Sequence, residues 1–354
     1  MGRHRGRALS VVGERLRAQL LSGPPAPDPV AVAERLLAVQ GQDGRGVRLA
    51  VRARAAEITV TDVNRALTED RSLLITWLNR GTLHLVRSED YPWLHALTTP
   101  PLHTPVRARL RQLGVDAAVA DRGVAVIEQA LADEGPLTRA ELKDRLERRR
   151  IPTVGQALVH VLCLATLQGV SVRGPVHGKQ HAYTLVRDWL GPEPHVERDD
   201  ALGELVLRYL AGHAPAGERD LAKWAGLPLR DIRRGFERAA RSLNERDDGL
   251  IELRARGRTR ATDGSAELPA PRLLGAFDPV LLGWASREPI TGTIDGAIVA
   301  GGMFRPFGLV GGRAVARWRI EQRRVRLEPL APLATRDRTA LLSDGEDVVR
   351  YLEL

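Results

Sequence analysis

Two glutamines that flank a glycine are the residues whose type and spacing first suggest chemistry. Gln40, Gly41 and Gln42 lie in the stretch LLAVQGQDG, residues 36–44. Amide oxygens accept hydrogen bonds from water, and two of them aimed into one space form a preorganised polar site. The alternative is a pair of solvated side chains that satisfy the free carbonyls at a helix end. Asp43, the nearest carboxylate, is a less favoured candidate for a general base, because Asp-Gly is also a common turn sequence.

The helix that precedes the glutamines decides where they point. Asp28 is suited to be its N-cap and Pro29 its first residue, and the apolar helical pattern ends where the glutamines begin. Residues two apart point to different faces of a helix, whereas they point the same way in extended or bent backbone. Because Gly41 and Gly44 lower the cost of a bend, we expect both glutamines in a turn just past the helix end.

The charge of the chain favours an anionic partner. Its 354 residues are enough for about two to four structural units. Lys+Arg number 53 against 44 Asp+Glu, a formal net charge of +9, and nearly all of the basic residues are arginines. The guanidinium fork matches phosphate groups and base edges, which points to nucleic acid. An Arg-rich composition is also what a GC-rich genome produces without selection for binding, and both interpretations stay open.

Composition also excludes several classes of protein. The one cysteine, Cys163, lies in an apolar run, so we expect an inert core thiol in a reducing compartment. No apolar stretch reaches the roughly 18 residues that span a bilayer, and the start MGRHRGRALS lacks the apolar core of a signal peptide. We therefore expect a cytoplasmic protein with no membrane partner. Because no metal or nucleotide-phosphate motif is present, we expect no cofactor.

Residues 45–56 are predicted to form a basic helix. Arg45, Arg48 and Arg52 recur at i, i+3 and i+7 and form one stripe, while apolar residues line another face. A short basic helix that follows two others is what a helix-turn-helix unit needs to place one helix in a DNA groove. A solvated arginine face is the equal alternative.

A repeat of small units is predicted next. Residues 59–67 read as a short capped helix, and residues 73–77 and 83–87 form a hairpin typical of the wing of a winged helix. Residues 91–105 are predicted to be a loop-rich connector. The helix starts at Thr59, Thr138 and Gly217 share one order of cap, acid and apolar residue, and 79 residues separate each from the next. This period predicts tandem small domains. The first unit fits less well, because its basic helix precedes Thr59, and it is either a divergent copy or a coincidence of similar caps.

The second and third units each contain three predicted helices. In the second, helices at 121–133, 138–149 and 153–168 precede a hairpin whose tip, GPVHGKQH, carries Lys179 and His181. In the third, helices are predicted at 202–211, 218–225 and 229–241, and the last carries Arg230 and Arg234 on one stripe. The tip residues are suited to touch a DNA backbone, and a polar turn is the alternative.

From about residue 272 the pattern changes to short β-like runs at 273–277, 298–304, 314–320 and 324–327. Glycine and proline turns separate these runs. We expect a small, partly closed β-barrel, followed by a terminal helix at 335–351. Arg305 and Arg313 lie beside two turns of this region.

Four strings, taken together, carry a resemblance to a known family. They are QGQ at 40–42, RGTLHLV at 80–86, AFDPVLLG at 276–283, and FRP at 304–306 ahead of Trp318 and Arg319. In type and order they resemble the bacterial AlkZ and YcaQ family of winged-helix DNA glycosylases. The resemblance implies a mainly α, α+β fold: tandem winged-helix domains and then a C-terminal β-barrel, arranged as a C around duplex DNA. We then expect domains at 1–110, 111–197, 198–271 and 272–354, and a monomer.

The resemblance implies that Gln40 and Gln42 are catalytic, because the family motif is glutamine, an aliphatic residue, then glutamine or aspartate. The second glutamine places the chain nearer the AlkZ branch, and Gly41 departs from the aliphatic residue. The implied substrate is double-stranded DNA with N7-alkylguanine, including bulky adducts and interstrand crosslinks. The string at 80–86 adds two residues to those expected to contact DNA. The full expected set is Arg45, Arg48, Arg52, Arg80, His84, Lys179, His181, Arg230, Arg234, Arg305 and Arg313.

The implied substrate fits an amide-based site. Guanine alkylated at N7 is cationic and leaves readily, so the site has to stabilise positive charge on the deoxyribose and hold a water near C1′. No lysine lies in the motif, so we expect a monofunctional glycosylase without lyase activity. The alternative function, from another class, is a non-catalytic tandem winged-helix DNA-binding protein or transcription regulator.

Overall fold

One order of elements recurs three times in the computed structural model, which describes residues 11–177, 180–192, 196–254 and 268–354. Each round is a helix, a short strand or bridge, two helices and a two-stranded hairpin. The first round is Pro29–Leu36, Val39–Gln40, Gly44–Arg52, Val60–Thr68, Leu73–Leu78 and Thr82–Arg87. The second is Ala117–Glu134, Leu137–Thr138, Arg139–Arg148, Ala157–Leu167, Ser171–His177 and Gln180–Leu185. The third is Arg198–His213, a bridge at Ala216, Glu218–Ala225, Leu229–Ala239, Leu243–Glu245 and Ile251–Leu253.

This order of elements decides between the two interpretations of the helix start at Thr59. The helices capped at Thr138 and Gly217 are second helices of their rounds, whereas Thr59 precedes a third helix, Val60–Thr68. The second helix of the first round begins after Asp43. The 79-residue spacing from Thr59 is therefore a coincidence of similar helix starts.

The helix starts follow the local signals in the sequence. The Asp28 carboxylate accepts a hydrogen bond from Ala31 N at 2.8 Å, and Pro29 is the first helical residue. Thr138 and Glu141 form a reciprocal capping box, with Thr138 N donating to Glu141 Oε2 at 2.7 Å. These contacts satisfy backbone donors that a helix start leaves without partners.

Residues 91–112 are helical, so the predicted loop-rich connector is wrong. The structure has helices Tyr91–Thr98 and His103–Gln112, with a 3₁₀ turn at Pro100–Leu102 between them. The prolines lie in the first turns of these elements, where a missing N–H costs nothing. Other helices are residues 11–18, Val186–Leu190, Glu288–Thr291, Asp295–Ile298 and Thr335–Tyr351.

The chain divides into two compact units. Unit 1 comprises the described residues of Met1–Val63, Leu202–Trp224 and Pro228–Leu354, and unit 2 those of Asn64–Ala201 and Ala225–Leu227. The boundary after residue 63 falls inside the first predicted domain, 1–110. The finer division into four domains stays a prediction.

Unit 2 joins the first two hairpins in one antiparallel sheet. Its strand order is Thr82–Arg87, Leu73–Leu78, Ser171–His177, Gln180–Leu185 and Leu137–Thr138. Ile75 pairs with Arg173, whose guanidinium lies 4.6 Å from the Trp77 ring centroid and 4.9 Å from that of Tyr183. The two predicted wings are therefore paired edge to edge. Cys163 is a buried residue of helix Ala157–Leu167, and burial raises the pKa of its thiol to about 12.

The C-terminal part of unit 1 contains an open sheet rather than the predicted barrel. Its strand order is Arg324–Pro329, Arg313–Glu321, Phe307–Val310 and Arg272–Leu274. Among the described residues the first and last of these strands do not pair, so the sheet has two edges. The terminal helix, Thr335–Tyr351, packs on one face. A separate hairpin joins Val299–Ala300 to Met303–Phe304.

No helix within the described ranges is both long enough and apolar enough to cross a membrane.

Candidate active site

The backbone bends sharply just before the first glutamine. Helix Pro29–Leu36 ends, and Leu37 takes φ 64 and ψ −49 while Ala38 N donates to Leu36 O at 2.8 Å. This is a γ-turn with positive φ, a rare and strained conformation for a residue other than glycine. The chain then enters the short strand Val39–Gln40. The strained turn therefore lies at Leu37, which is not a glycine; a second bend covers Gln42 and Asp43, and Gly44 is the first residue of the next helix.

A neighbouring helix holds this strained turn in place. Gly212, near the end of helix Arg198–His213, approaches so closely that a Cβ on it would lie 2.2 Å from Arg35 O and 3.3 Å from Leu36 Cα. In the same helix, Arg208 donates to Glu34 O at 3.2 Å. Only glycine permits such a close approach of two backbones. The backbone at the end of helix Pro29–Leu36, ahead of the glutamines, is thus packed directly against the backbone of helix Arg198–His213.

The two glutamines lie in different environments. Gln40 is only 6% exposed, whereas Gln42 is exposed and lies in the bend between strand and helix. The strand ends at Gln40, so its alternation of side chains does not extend to Gln42. A buried amide experiences a lower dielectric than a solvated one, so its oxygen interacts more strongly with a nearby positive charge.

Asp43 has a structural role in this arrangement. Its carboxylate caps helix Gly44–Arg52 by accepting a hydrogen bond from Gly46 N. An N-cap aspartate satisfies an otherwise free donor and opposes the positive end of the helix dipole. The cap accounts for an aspartate at this position without catalysis.

The arginines of helix Gly44–Arg52 do not form one exposed stripe. Arg45 is exposed, and Arg48 is half-buried with Nη1 donating to Gly44 O at 2.9 Å. The Arg52 side chain is 2% exposed, and its Nη1 donates to Asp344 Oδ2 at 3.1 Å, with Nε 3.2 Å from Asp347 Oδ2. The structure does not support the predicted DNA contact by Arg52, because its charge is buried against two carboxylates of the terminal helix.

A buried ion pair that the sequence analysis missed lies behind this helix. Arg54 and Asp278 are both fully buried, with Nη1 and Nη2 donating to the two carboxylate oxygens at 2.9 and 2.8 Å. The remaining donors reach Ala50 O at 2.9 Å, Gln19 O at 2.9 Å and Gln19 Oε1 at 3.0 Å. Every guanidinium N–H direction is therefore used, as a buried arginine requires. The only sign of this ion pair in the sequence was that the charged Arg54 lies between Ala53 and Ala55.

This pair connects the helix to the string AFDPVLLG. Ala276 O lies against the helix, since a Cβ on Gly46 would lie 2.3 Å from it. Gln19 Nε2 donates to Pro279 O at 3.4 Å. Both ends of the helix that follows the glutamines are thus fixed to residues 276–279.

The other predicted DNA-contacting residues of unit 1 are exposed. Arg230 and Arg234 lie on helix Leu229–Ala239, and the Arg230 side chain is 85% exposed. Arg305 follows the hairpin strand Met303–Phe304, and Arg313 begins strand Arg313–Glu321. Exposed guanidinium groups are the type of group that contacts phosphate oxygens.

The candidates of unit 2 differ from one another. Arg80 is exposed, in the turn between the strands Leu73–Leu78 and Thr82–Arg87. His84 is 2% exposed, with Nδ1 3.0 Å from Thr82 O, and burial lowers its pKa to about 3, helped by the charge of Arg80. A buried neutral imidazole cannot meet a phosphate, so the structure does not support a DNA contact by His84. His181 is half-buried, and Lys179 lies outside the described residues.

Comparison with known proteins places this geometry in a family. An interstrand DNA cross-link repair glycosylase of Streptomyces sahachiroi is 29% identical over 345 residues, which cover 89% of this chain and 88% of that protein. The solved structure of Streptomyces sahachiroi DNA glycosylase AlkZ superposes with a TM-score of 0.77 and 26% identity, covering 97% of this chain and 96% of that one. A family model described as DNA glycosylase AlkZ-like matches residues 33–351, from helix Pro29–Leu36 to the terminal helix. The chain therefore belongs to the AlkZ-like DNA glycosylase family.

Proposed function

We propose that this protein is a monofunctional DNA glycosylase that hydrolyses the N-glycosidic bond of N7-alkylguanine, including bulky adducts and interstrand crosslinks. The observation that carries the proposal is the strained turn at Leu37, which sets a buried Gln40 and an exposed Gln42 just ahead of a helix. Strained backbone persists only where the surrounding structure holds it, and it clusters at functional sites. The name of the relative, an interstrand DNA cross-link repair glycosylase, supports the crosslink part of the substrate class.

The proposed reaction suits amide side chains. Alkylation at N7 leaves guanine cationic, so the C1′–N9 bond breaks with its electron pair going to the base, which leaves neutral. Positive charge then develops on the deoxyribose. The Gln40 oxygen, in low dielectric, stabilises this charge, and the Gln42 oxygen accepts a hydrogen bond from the water that attacks C1′. The attacking water loses its proton to solvent or to Asp43, which is less favoured because the cap occupies one of its oxygens.

DNA affinity in this proposal comes from arginines at the surface. Neutralising phosphates with exposed guanidinium groups gives affinity that falls steeply with salt. We interpret the threefold element order as tandem winged helices. Their third helices differ: Leu229–Ala239 carries exposed arginines, whereas Ala157–Leu167 is apolar and largely buried. The former is the better candidate for a groove. The proposed contacts are Arg45, Arg80, Arg230, Arg234, Arg305 and Arg313, with Arg48, Lys179 and His181 as further candidates.

The test is base release under single-turnover conditions from a duplex with one N7-methylguanine. Gln40→Ala and Gln42→Ala are compared with the unchanged protein, and Gln112→Ala is the control, since Gln112 is an exposed glutamine that contacts Arg109 on its own helix. We expect each site variant to lose about 10²-fold or more in rate, roughly 2.7 kcal/mol of transition-state stabilisation. The control should keep the rate.

Two further results bear on the same proposal. Borohydride should trap no covalent adduct with DNA, because a monofunctional enzyme forms no Schiff base. Sedimentation with and without duplex should show a monomer. If the protein binds duplex but releases no base from this adduct or a bulkier one, the enzyme proposal fails and the non-catalytic DNA-binding alternative takes its place.

A further inference from the structure

Phe277, in the string AFDPVLLG, has a backbone conformation that an aromatic residue rarely adopts. Its φ is 59, in the left-handed region that favours glycine. The residues on both sides impose this conformation. Ala276 O is packed against the helix at Gly46, and Asp278 is fully buried in the ion pair with Arg54. With both neighbours anchored, the chain between them has to turn at Phe277.

The turn places the Phe277 ring partly in water. Phe277 is half-buried, whereas Leu273, Leu274 and Asp278 around it are buried. Its ring contacts that of Phe304, also half-buried, with centroids 5.1 Å apart and planes at 37°. Folding alone favours glycine at this φ and a fully buried aromatic ring. The strain and the exposure thus both act against stability, which indicates a role in binding.

The ring lies at the same end of the helix as the glutamines. A Cβ on Gly46, in the first turn, would lie 2.3 Å from Ala276 O and 3.0 Å from Asp43 Oδ1. Ala276 directly precedes Phe277, and Asp43 directly follows Gln42. Ala276 O and Asp43 Oδ1 therefore both lie beside Gly46. Phe277 is the chain neighbour of the first residue, and Gln42 is the chain neighbour of the second.

We propose that Phe277 and Phe304 form a stacking surface for a nucleobase of the substrate DNA, beside Gln42. Aromatic side chains stack on bases of any sequence, because every base has a π-face. The inference rests on the proposed function in one respect: an N7-alkylguanine is cationic, and a cation over an aromatic face gains further attraction. Arg287 Cζ already lies 5.7 Å from the Phe304 ring centroid, so it is the Phe277 ring that favours an alkylated guanine over an undamaged one.

The experiment compares Phe277→Leu, which keeps apolar volume and removes the π-face, with Phe277→Tyr, which keeps the ring. Single-turnover rates on N7-methylguanine duplex are measured against protein concentration, so that half-saturation and maximal rate are separated. We expect Phe277→Leu to need about 10-fold more protein for half-saturation, a stacking-sized effect. Phe277→Tyr should remain within about 2-fold, since rings stack alike. Phe304→Leu gives an independent variant if Phe277→Leu fails to fold.

A second readout does not depend on catalysis. 2-Aminopurine at the lesion position is quenched by its neighbours in the duplex, and its fluorescence changes when the base leaves them and stacks on an aromatic ring. We expect the unchanged protein and Phe277→Tyr to change this fluorescence, and Phe277→Leu to lose most of the change. Equal fluorescence and equal half-saturation for folded Phe277→Leu and the unchanged protein would overturn the inference. If no variant releases base, the proposed function fails, and the fluorescence comparison still decides whether the rings stack.

Discussion

Substituting Gly212 with alanine tests whether the strained turn at Leu37 positions the glutamines. The added Cβ would lie 2.2 Å from Arg35 O, 3.1 Å from Arg35 C and 3.3 Å from Leu36 Cα. All three are backbone atoms, so no flexible side chain can move away. Restoring ordinary contact requires the helix end to shift by roughly 1 Å, since non-bonded carbon atoms prefer separations of about 3.5–4.0 Å.

We expect Gly212→Ala to reduce the rate of base release more strongly than it reduces the free energy of unfolding. Overpacking costs about 1–3 kcal/mol, and replacing glycine by alanine inside a helix recovers about 1 kcal/mol. The free energy of unfolding should therefore fall by about 0–2 kcal/mol. A displacement of about 1 Å in a catalytic group can cost about 10²-fold in rate. We expect a folded variant whose single-turnover base release is slower by about that factor.

The assay pairs urea unfolding with single-turnover base release from N7-methylguanine duplex. Gly296→Ala is the matched control, because Gly296 lies in a helix of the same unit and a Cβ there meets nothing within 4 Å. The control should keep its rate and gain slightly in stability. If Gly212→Ala is folded and releases base as fast as the unchanged protein, the turn at Leu37 does not position the site, and the reasoning is refuted.

Two further predictions concern buried charge. Asp278→Asn leaves the Arg54 guanidinium buried without its carboxylate, so we expect urea unfolding to show a loss of about 3–5 kcal/mol; a loss under about 1 kcal/mol would contradict the buried pair. The pKa values of His84 and His213 are lowered by burial from 6.5 to about 3, so the unfolded protein binds more protons between these pH values. The free energy of unfolding should be fully retained above pH 6.5 and fall as the pH drops towards 3, by up to about 1.4 kcal/mol per pH unit for each histidine. His84→Asn, which keeps a donor for the Thr82 carbonyl, should reduce this slope by one histidine's share, and an unchanged slope would count against a buried neutral His84.

Local signals predicted many of the elements correctly. The predicted helices at 218–225 and 335–351 coincide with Glu218–Ala225 and Thr335–Tyr351, and the glutamine-bearing helix starts at Pro29 as its cap indicated. Caps, helical periodicity and turn residues act over a few neighbours, so they can be recognised without the fold. The same signals failed at residues 91–105, because a proline that starts a helix was taken for one that breaks it.

These local signals did not predict which strands pair with each other. The sequence predicted separate hairpins and a barrel, whereas the structure pairs Ile75 with Arg173 in one sheet and leaves the C-terminal sheet open. Which strands meet depends on residues far apart in the chain. An alternating pattern identifies a strand but does not specify its partner.

The sequence by itself determined the family, through four short strings, and the start at Pro29 of the helix that precedes the glutamines. Only the tertiary structure decided where the backbone bends and which charges reach solvent. Gly212 of another helix packs against the Arg35 and Leu36 backbone just before the strained Leu37, and Arg52 is buried because a terminal helix supplies its carboxylates. Both effects come from backbone and side-chain contacts between distant segments, so no local pattern could have contained them.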